Sequence, residues 1–155
     1  MRKIFNILCV LILPFSLLGC SSNTAQSGEL ETKVCTYEDE DFKETRTFEY
    51  EGDEVRVCTN EMTYPYELLM LTEDEANKQI TTNKSLLSDI AGLTYEGKIE
   101  DDKIIEKTVI DLTQADMEQL VNEAIIPSSQ NGSIPSYISL EQLVAQAESE
   151  GMTCE

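Results

Sequence analysis

The chain has 155 residues, of which 30 are acidic, 11 are basic and none is histidine, so its formal net charge at pH 7 is −19. Nucleic acid is excluded as a partner, because proteins bind phosphate backbones through clustered lysine and arginine. The lack of histidine also excludes histidine-dependent catalytic triads and histidine-bearing zinc sites.

The N-terminal residues have the pattern of a signal peptide. Arg2 and Lys3 form a positive start, and residues 4–18 are apolar apart from Asn6 and Ser16. A membrane-spanning helix needs ~20 apolar residues, so this run is short for one. The pattern therefore predicts that the segment is cleaved rather than retained.

Residues 17–20, Leu-Leu-Gly-Cys, resemble the lipobox of bacterial lipoproteins. The resemblance implies that residues 1–19 are removed and that Cys20 carries a diacylglyceryl group; the alternative is an ordinary buried cysteine. The loss of Arg2 and Lys3 takes the net charge from −19 to −21. Two acyl chains anchor a protein stably, so the lipid alone is expected to hold this acidic chain on a membrane. The expected location is the outer face of the cytoplasmic membrane, or the outer membrane if the source cell has one.

The rest of the chain divides into a short tether and one domain. Residues 20–31 are small and polar, which predicts a flexible tether, and residues 32–155 are long enough for a single compact domain. Alternating runs rich in Thr, Tyr and Val predict three strands, at residues 33–38, 44–51 and 53–62. A glycine-aspartate turn between the last two favours a hairpin, and a three-stranded antiparallel meander is the simplest arrangement.

A helix and a second hairpin are predicted next. Thr72 and Glu75 have the spacing of a capping box, and apolar residues continue at helical spacing to Gly92. Residues 93–100 alternate as a strand with one solvated face. Residues 103–112 carry apolar side chains on both faces, and we expect a bulge to explain this pattern.

Two further helices complete the predicted domain. Thr113 is expected to cap a helix that ends at Pro127. Ser139 and Gln142 form a second capping box, and Gly151 is expected to stop the helix that follows it. The predicted fold class is therefore α+β, with an antiparallel three-stranded meander plus a hairpin, packed with about three helices.

The order of these elements resembles that of the YehR-like family of small bacterial lipoproteins. The resemblance covers residues 32–153 and rests on YEGDEV, LTEDEANKQI, IAGLTYEGKIEDDKIIEKTVIDLTQADMEQL and SLEQLVAQAESEGM. It implies an α+β lipoprotein domain of unknown function and supplies no catalytic residue. The sequence departs from the family pattern at Cys35, Cys58 and Cys154.

These three cysteines allow one disulfide in an exported protein. In a meander with sequential strand order, Cys35 and Cys58 lie two strand spacings apart, or ~9.6 Å. This distance exceeds the ~7 Å limit between the Cα atoms of a disulfide. The favoured pair is therefore Cys35 with Cys154, and the alternative is three unpaired thiols in a reducing habitat.

The apolar stretch Met62–Leu71 is the first candidate for a contact surface. Tyr64, Tyr66 and Met70 are candidates to line a ligand groove or to meet a partner, since tyrosine and methionine are common in adaptable interfaces. The alternative is that the stretch only covers the core. The loop at residues 127–137 is a second candidate surface.

No metal or cofactor is expected. The acidic runs at residues 39–41 and 100–102 lack calcium-loop spacing and predict solvated turns. The expected function is a non-enzymatic binding or interaction module of the cell envelope, with an unknown ligand or partner protein. The alternative is an envelope enzyme that uses paired carboxylates on a glycan.

Overall fold

The computed structural model describes residues 30–126, residue 128 and residues 132–155. The predicted signal segment, Cys20 and nearly all of the predicted tether lie outside the described residues. The described part of the chain has an α+β fold, as the sequence predicts, in which helices pack against one antiparallel sheet.

The sheet has six strands in the order β4-β5-β3-β2-β1-β6. The strands are β1 Glu31–Glu38, β2 Lys43–Glu51, β3 Glu54–Pro65, β4 Leu93–Glu100, β5 Lys103–Asp111 and β6 Thr153–Cys154. The predicted meander and hairpin are both present, but β5 pairs with β3 and joins them into a single sheet. The predicted strand count was too low, because two residues are too short a run for β6 to show an alternating pattern.

Three helices and a short 3-10 helix connect the strands. They are the 3-10 helix Tyr66–Leu69, α1 Glu73–Leu87, α2 Met117–Asn122 and α3 Leu140–Ser149. The predicted capping box of α1 is confirmed, since the Glu75 amide donates to the Thr72 hydroxyl and the Thr72 amide donates to the Glu75 carboxylate. None of the described helices has the length and apolar character needed to cross a membrane.

The predicted start of α2 at Thr113 is wrong. The Asp111 carboxylate accepts hydrogen bonds from the amide and the hydroxyl of Thr113, which forms a turn directly after β5. Asp116 caps the helix instead, accepting from the amides of Glu118 and Gln119. The helix also ends at Asn122, well before Pro127, because the chain turns where Ala124 has a φ of 56°.

The bulge expected in residues 103–112 is also absent, since β5 pairs with β3 and with β4 without a register shift. The irregularity lies between Glu49 and Tyr50 of β2. Both faces of β5 are apolar because this strand is in the interior of the sheet. Its neighbours cover part of the side chains of Ile105 and Val109 even on the face that carries no described helix.

Alternation along the strands gives the sheet two unlike faces. The inner face packs against the helices, and its buried side chains form two clusters, one around Ile104 and Leu120 and the other around Phe48, Cys35 and Ala147. Side chains of the opposite, outer face are half-buried or exposed. The described helices therefore leave the outer face open to solvent.

Cys35 and Cys154 are joined by a disulfide, which is the pair that the sequence favours. The two cysteines are directly opposite each other on β1 and β6. Val34 and Glu155 next to them exchange two backbone hydrogen bonds of 3.1 and 2.8 Å. The cysteines thus occupy the position of an antiparallel ladder where opposite Cα atoms come closest, and theirs are 4.0 Å apart.

We expect Cys154→Ser to lower the free energy of unfolding by about 2–4 kcal/mol, because the bridge constrains a separation of 119 residues in the unfolded chain. Urea denaturation under non-reducing conditions measures this change. The matched control is Cys58→Ser, which leaves the bridge intact and should lower the free energy of unfolding by less than Cys154→Ser does. An oxidised wild-type protein no more stable than Cys154→Ser would contradict the prediction.

Candidate functional site

A groove of about 470 Å³ lies on the outer face of the sheet, across strands β2, β3, β5 and β4. Its volume is in the range of small-molecule sites. Eight side chains of the outer face line it: Lys43, Thr45, Glu61, Thr63, Glu96, Lys98, Ile105 and Lys107.

The strand register orders these side chains in two rows. The first row runs across the sheet as Thr45, Glu61, Lys107 and Glu96, and the second as Lys43, Thr63, Ile105 and Lys98. Directly opposite residues of neighbouring strands project on the same face, so each row is a continuous line of side chains. The centre of the groove therefore has the charged pair Glu61 and Lys107 in one row and Thr63 and Ile105 in the other.

Ion pairs hold the charged groups of the groove in place. The Lys107 ammonium lies 2.9 Å from the Glu61 carboxylate, and this hydrogen bond raises the pKa of Lys107, with a smaller contribution from Glu96. Lys43 and Lys98 pair with Glu38 and Glu100, whose side chains are outside the lining. The lining thus carries three ammonium groups and two carboxylates, in a chain whose net charge is −19.

The side chains of the groove are able to form ion pairs and hydrogen bonds with a ligand. Exposed ion pairs contribute little to stability, so a ligand can replace them at small cost. Its hydroxyl, ammonium and carboxylate groups can donate and accept hydrogen bonds. Within the described residues, no group of three or more Asp, Glu or Cys side chains is placed to hold a metal ion.

A second polar cluster lies on the inner face, beneath α1. The Tyr64 hydroxyl donates to the Glu106 carboxylate at 2.6 Å, and Tyr95 donates to the other oxygen of the same carboxylate. Asn83 of α1 hydrogen-bonds to the Tyr95 hydroxyl. Burial, followed by the hydrogen bond to Glu106, raises the pKa of both tyrosine hydroxyls. This cluster fixes three strands and α1 relative to one another.

The candidate contact residues of Met62–Leu71 do not line one groove. Tyr64 is buried and its hydroxyl bonds within the fold, while Tyr66 is half-buried and donates to Asp102 at 3.0 Å. Met70 is 66% exposed, as is much of neighbouring Leu68. Of the three candidates, Met70 is therefore the one whose side chain is mostly exposed to solvent.

The acidic runs form the turns that the sequence predicts. The Asp39 carboxylate accepts from the amides of Asp41 and Phe42, and these bonds lower its pKa. Asp101 and Asp102 both have positive φ, of 50° and 61°, which is the backbone of a tight two-residue hairpin. The positive φ values of Asp101 and Asp102 are explained by the reversal of the chain between β4 and β5.

The groove residues were missed in the sequence because each looks like an ordinary solvated position of a strand. Lys43, Glu61 and Lys98 are far apart along the chain, and only the pairing of β5 with β3 places them on one surface. The alternation of strands does predict that these side chains share the polar face. Alternation does not predict the order of the strands in the sheet, which decides whether these side chains are neighbours.

Comparison with known proteins finds a family model, described as a protein of unknown function (DUF1307), that matches residues 31–153. The uncharacterized lipoprotein Lmo0207 of Listeria monocytogenes is 28% identical over 152 residues, which cover 97% of this chain and 94% of the relative. The uncharacterized lipoprotein Lin0239 of Listeria innocua is 25% identical with the same coverage.

Two solved structures share the fold. The NMR structure of Escherichia coli YehR has a TM-score of 0.66 and 19% identity, covering 83% of this chain and 93% of its own. The NMR structure of a protein from Streptococcus pneumoniae TIGR4 has a TM-score of 0.54 and 16% identity, covering 92% and 94%. At these identities the likeness shows the architecture alone.

Alkaline pH should destabilise the protein through Tyr64 and Tyr95. Unfolded tyrosines ionise near pH ~10, whereas the pKa of both buried hydroxyls is raised in the folded state. Their contribution to stability is therefore complete below pH ~10 and is lost as the pH rises above it. With two protons involved, the free energy of unfolding should fall by up to about 2.7 kcal/mol per pH unit.

Urea denaturation between pH 8 and pH 12, on the wild type and on Tyr64→Phe, Tyr95→Phe and the double variant, measures this slope. Each single variant should remove about half of the difference between the slopes of the wild type and the double variant. Equal slopes in the wild type and the double variant would show that these hydroxyls are not responsible.

Proposed function

The chain belongs to the DUF1307 family, the YehR-like family of bacterial lipoproteins of unknown function, and we propose that it is a lipid-anchored binding protein of the cell envelope. The family is the one that the sequence resembles. The observation that carries the binding role is the groove, which lies on the sheet face that the described helices leave open.

The anchor in this proposal is a diacylglyceryl group on Cys20. Two relatives that align over 97% of this chain are named lipoproteins, and Cys20 ends a lipobox-like segment. Once residues 1–19 are removed, the acidic domain is displayed on the outer face of the cytoplasmic membrane. Its negative charge adds no attraction to anionic lipids, so the acyl chains alone hold it there.

Binding is proposed rather than catalysis because the Lys107 ammonium group lies between the two carboxylates of the groove. Glu61 and Glu96 are on strands two spacings apart, or ~9.6 Å between Cα atoms, with Lys107 between them. Glycoside hydrolysis needs the scissile bond to lie between its two carboxyl groups. In this groove an ammonium group lies there instead.

The proposal also includes Met70 as a residue that contacts a partner. Its side chain and that of Leu68 are exposed in the 3-10 segment that follows β3. Thr63 of the groove lies on the same strand, close to that end of the sheet.

Cys20→Ala should move the protein from the membrane fraction to the soluble exported fraction, because no acyl chain can be attached. Fractionation followed by immunoblotting measures the shift, and mass spectrometry of the N-terminal peptide measures the lipid. The control is Cys58→Ser, which should stay in the membrane fraction. Unchanged membrane association of Cys20→Ala, with no lipid mass on Cys20 of the wild type, would refute the anchor.

Thr63→Arg should block the groove without unfolding the domain, since Thr63 is on the solvent-facing side of β3. We expect lipidated wild-type protein, purified from membranes and then denatured, to release a small molecule that Thr63→Arg does not retain. Mass spectrometry of the released material provides the measurement. Thr82→Arg, an exposed change on α1, is the control and should behave as the wild type. Identical released material from the wild type and Thr63→Arg would contradict binding in the groove.

A further inference from the structure

Strand β4 forms one edge of the sheet, and no strand within the described residues pairs with its free side. The opposite edge differs, because β6 pairs with β1 there and is joined to it by the disulfide. An unpaired edge presents a row of backbone N–H and C=O groups that can pair with another chain. The eight residues of β4 include no proline and pair with β5 without a register shift, so this edge is regular.

The backbone hydrogen bonds identify the groups that β4 directs outward. The Asp111 amide donates to the Gly92 carbonyl at 2.7 Å, which extends the register between β4 and β5 by one position. Bonding residues alternate along an antiparallel strand, so the even-numbered residues of β4 direct their N–H and C=O groups to β5. The odd-numbered residues direct theirs to the free edge, and in the middle of the strand these are Tyr95, Gly97 and Ile99.

Helix α1 packs on the inner side of β4 and leaves part of its backbone accessible. A Cβ atom added to Gly97 would lie 2.8 Å from Cγ2 of Ile80, so this helix residue stands directly over the glycine. Gly97 is nevertheless only half-buried, and because it has no side chain, its accessible surface is backbone. Solvent therefore reaches the backbone at the middle of the strand.

The charged side chains of β4 restrict which strand can pair with it. Glu96 and Lys98 are on the outer face, one on each side of Gly97. Charges on an edge strand ordinarily oppose pairing, because like charges would lie opposite each other. When two copies of β4 pair antiparallel about Gly97, however, Glu96 lies opposite Lys98 of the partner subunit, and Lys98 lies opposite Glu96 of the partner subunit.

From this self-complementarity we infer that two copies of the chain pair through β4 and join their sheets into one. The arrangement is a two-fold symmetric dimer, in which the same surface of both subunits forms the interface. The outward groups of Gly97 bond to those of Gly97 of the partner subunit, and the outward groups of Tyr95 bond to those of Ile99 of the partner subunit. Each subunit thus supplies partners for the edge of the other.

The neighbouring symmetric registers fit less well. A register centred on Tyr95 places Glu96 opposite Thr94 of the partner subunit, and one centred on Ile99 places Glu96 opposite Asp102 of the partner subunit. Glu96 therefore gains a partner of opposite charge in the register centred on Gly97 and in neither of its neighbours. The exposed ion pair of Lys98 with Glu100 is weak, so it does not oppose this exchange.

The paired strands also join the two grooves. One row of each groove ends at Glu96 and the other at Lys98, and both residues are on the edge strand. Across the interface each row continues into a row of the partner subunit, so each subunit places a charged residue next to the groove of the other. The pairing itself does not depend on the proposed binding role.

The symmetry of the pair is compatible with the proposed anchor. Two identical antiparallel strands within one sheet are related by an axis perpendicular to the sheet, so both copies of β1 begin at the same height along this axis. The tethers of both subunits can therefore reach one membrane. Edge pairing buries less than the roughly 1,200–2,000 Å² of a stable interface, so we expect a weak dimer that anchoring on a membrane favours by raising the local concentration.

Charge exchange tests the register on the mature lipidated protein. Glu96→Lys or Lys98→Glu alone places like charges opposite each other twice across the two-fold axis, and each should raise the dissociation constant of the dimer at least about tenfold. The double variant Glu96→Lys/Lys98→Glu restores both opposite pairs and should return the constant to within about threefold of the wild type. Sedimentation equilibrium in density-matched detergent micelles measures these constants. Glu148→Lys, an exposed change on α3, is the control for net charge and should behave as the wild type.

Amide hydrogen exchange, followed by ¹⁵N–¹H NMR, distinguishes strand pairing from other contacts. The amides of Tyr95, Gly97 and Ile99 gain bonding partners in the dimer, whereas those of the even-numbered residues already bond to β5. We expect exchange of these three amides to slow as the concentration of the wild type rises. In Glu96→Lys the same amides should exchange at a rate that does not depend on concentration.

A wild type that stays monomeric at every concentration, or equal dissociation constants for the single and double variants, would overturn the inference. A dimer without concentration-dependent protection of the amides of Tyr95, Gly97 and Ile99 would also overturn it, because another surface would then form the interface. These outcomes are separate from the release of a small molecule by the wild type, which tests the binding role of the groove.

Discussion

The alternation of side chains across one continuous six-stranded sheet governs both the core and the candidate site. Each helix within the described residues packs on the inner face of the sheet, so the apolar side chains of that face are buried. Polar side chains among them need partners, and Glu106 has two tyrosine hydroxyls while Glu44 pairs with Arg46. The same alternation places the charged side chains Lys43, Glu61, Glu96, Lys98 and Lys107 on the outer face, where the groove forms.

Local patterns predicted most of the fold, whereas pairing between distant segments did not follow from them. The strands and the capping box at Thr72 are visible in the sequence because period and capping are local properties. Thr113 and Asp116 are both good capping residues, and the choice between them depends on the Asp111 carboxylate, which folds back on Thr113. The groove depends on the pairing of β3 with β5, which are separated by a helix and a strand.

The disulfide could be predicted for a related reason. Excluding the pair Cys35 and Cys58 needs only the order of the first three strands, and a meander fixes that order locally. The different burial of Met70 and Tyr64, in contrast, could not be predicted from the sequence. Their positions in one apolar stretch gave no indication that one side chain is exposed and the other is within hydrogen-bonding distance of a buried carboxylate. Tyr64 lies on β3 and is buried, whereas Met70 lies beyond the end of the strand and is exposed. The composition of the stretch does not distinguish the two positions.

The bond between Cys35 and Cys154 joins a residue near the beginning of the domain to its penultimate residue. The polypeptide between them is a covalently closed ring, from which the N-terminal segment leaves at one point. A protease that cuts this ring once, in any loop, opens it without releasing a fragment. Shedding of the domain from its N-terminal segment therefore requires a cut before Cys35, two cuts in the ring, or one cut in the ring together with reduction of the bond.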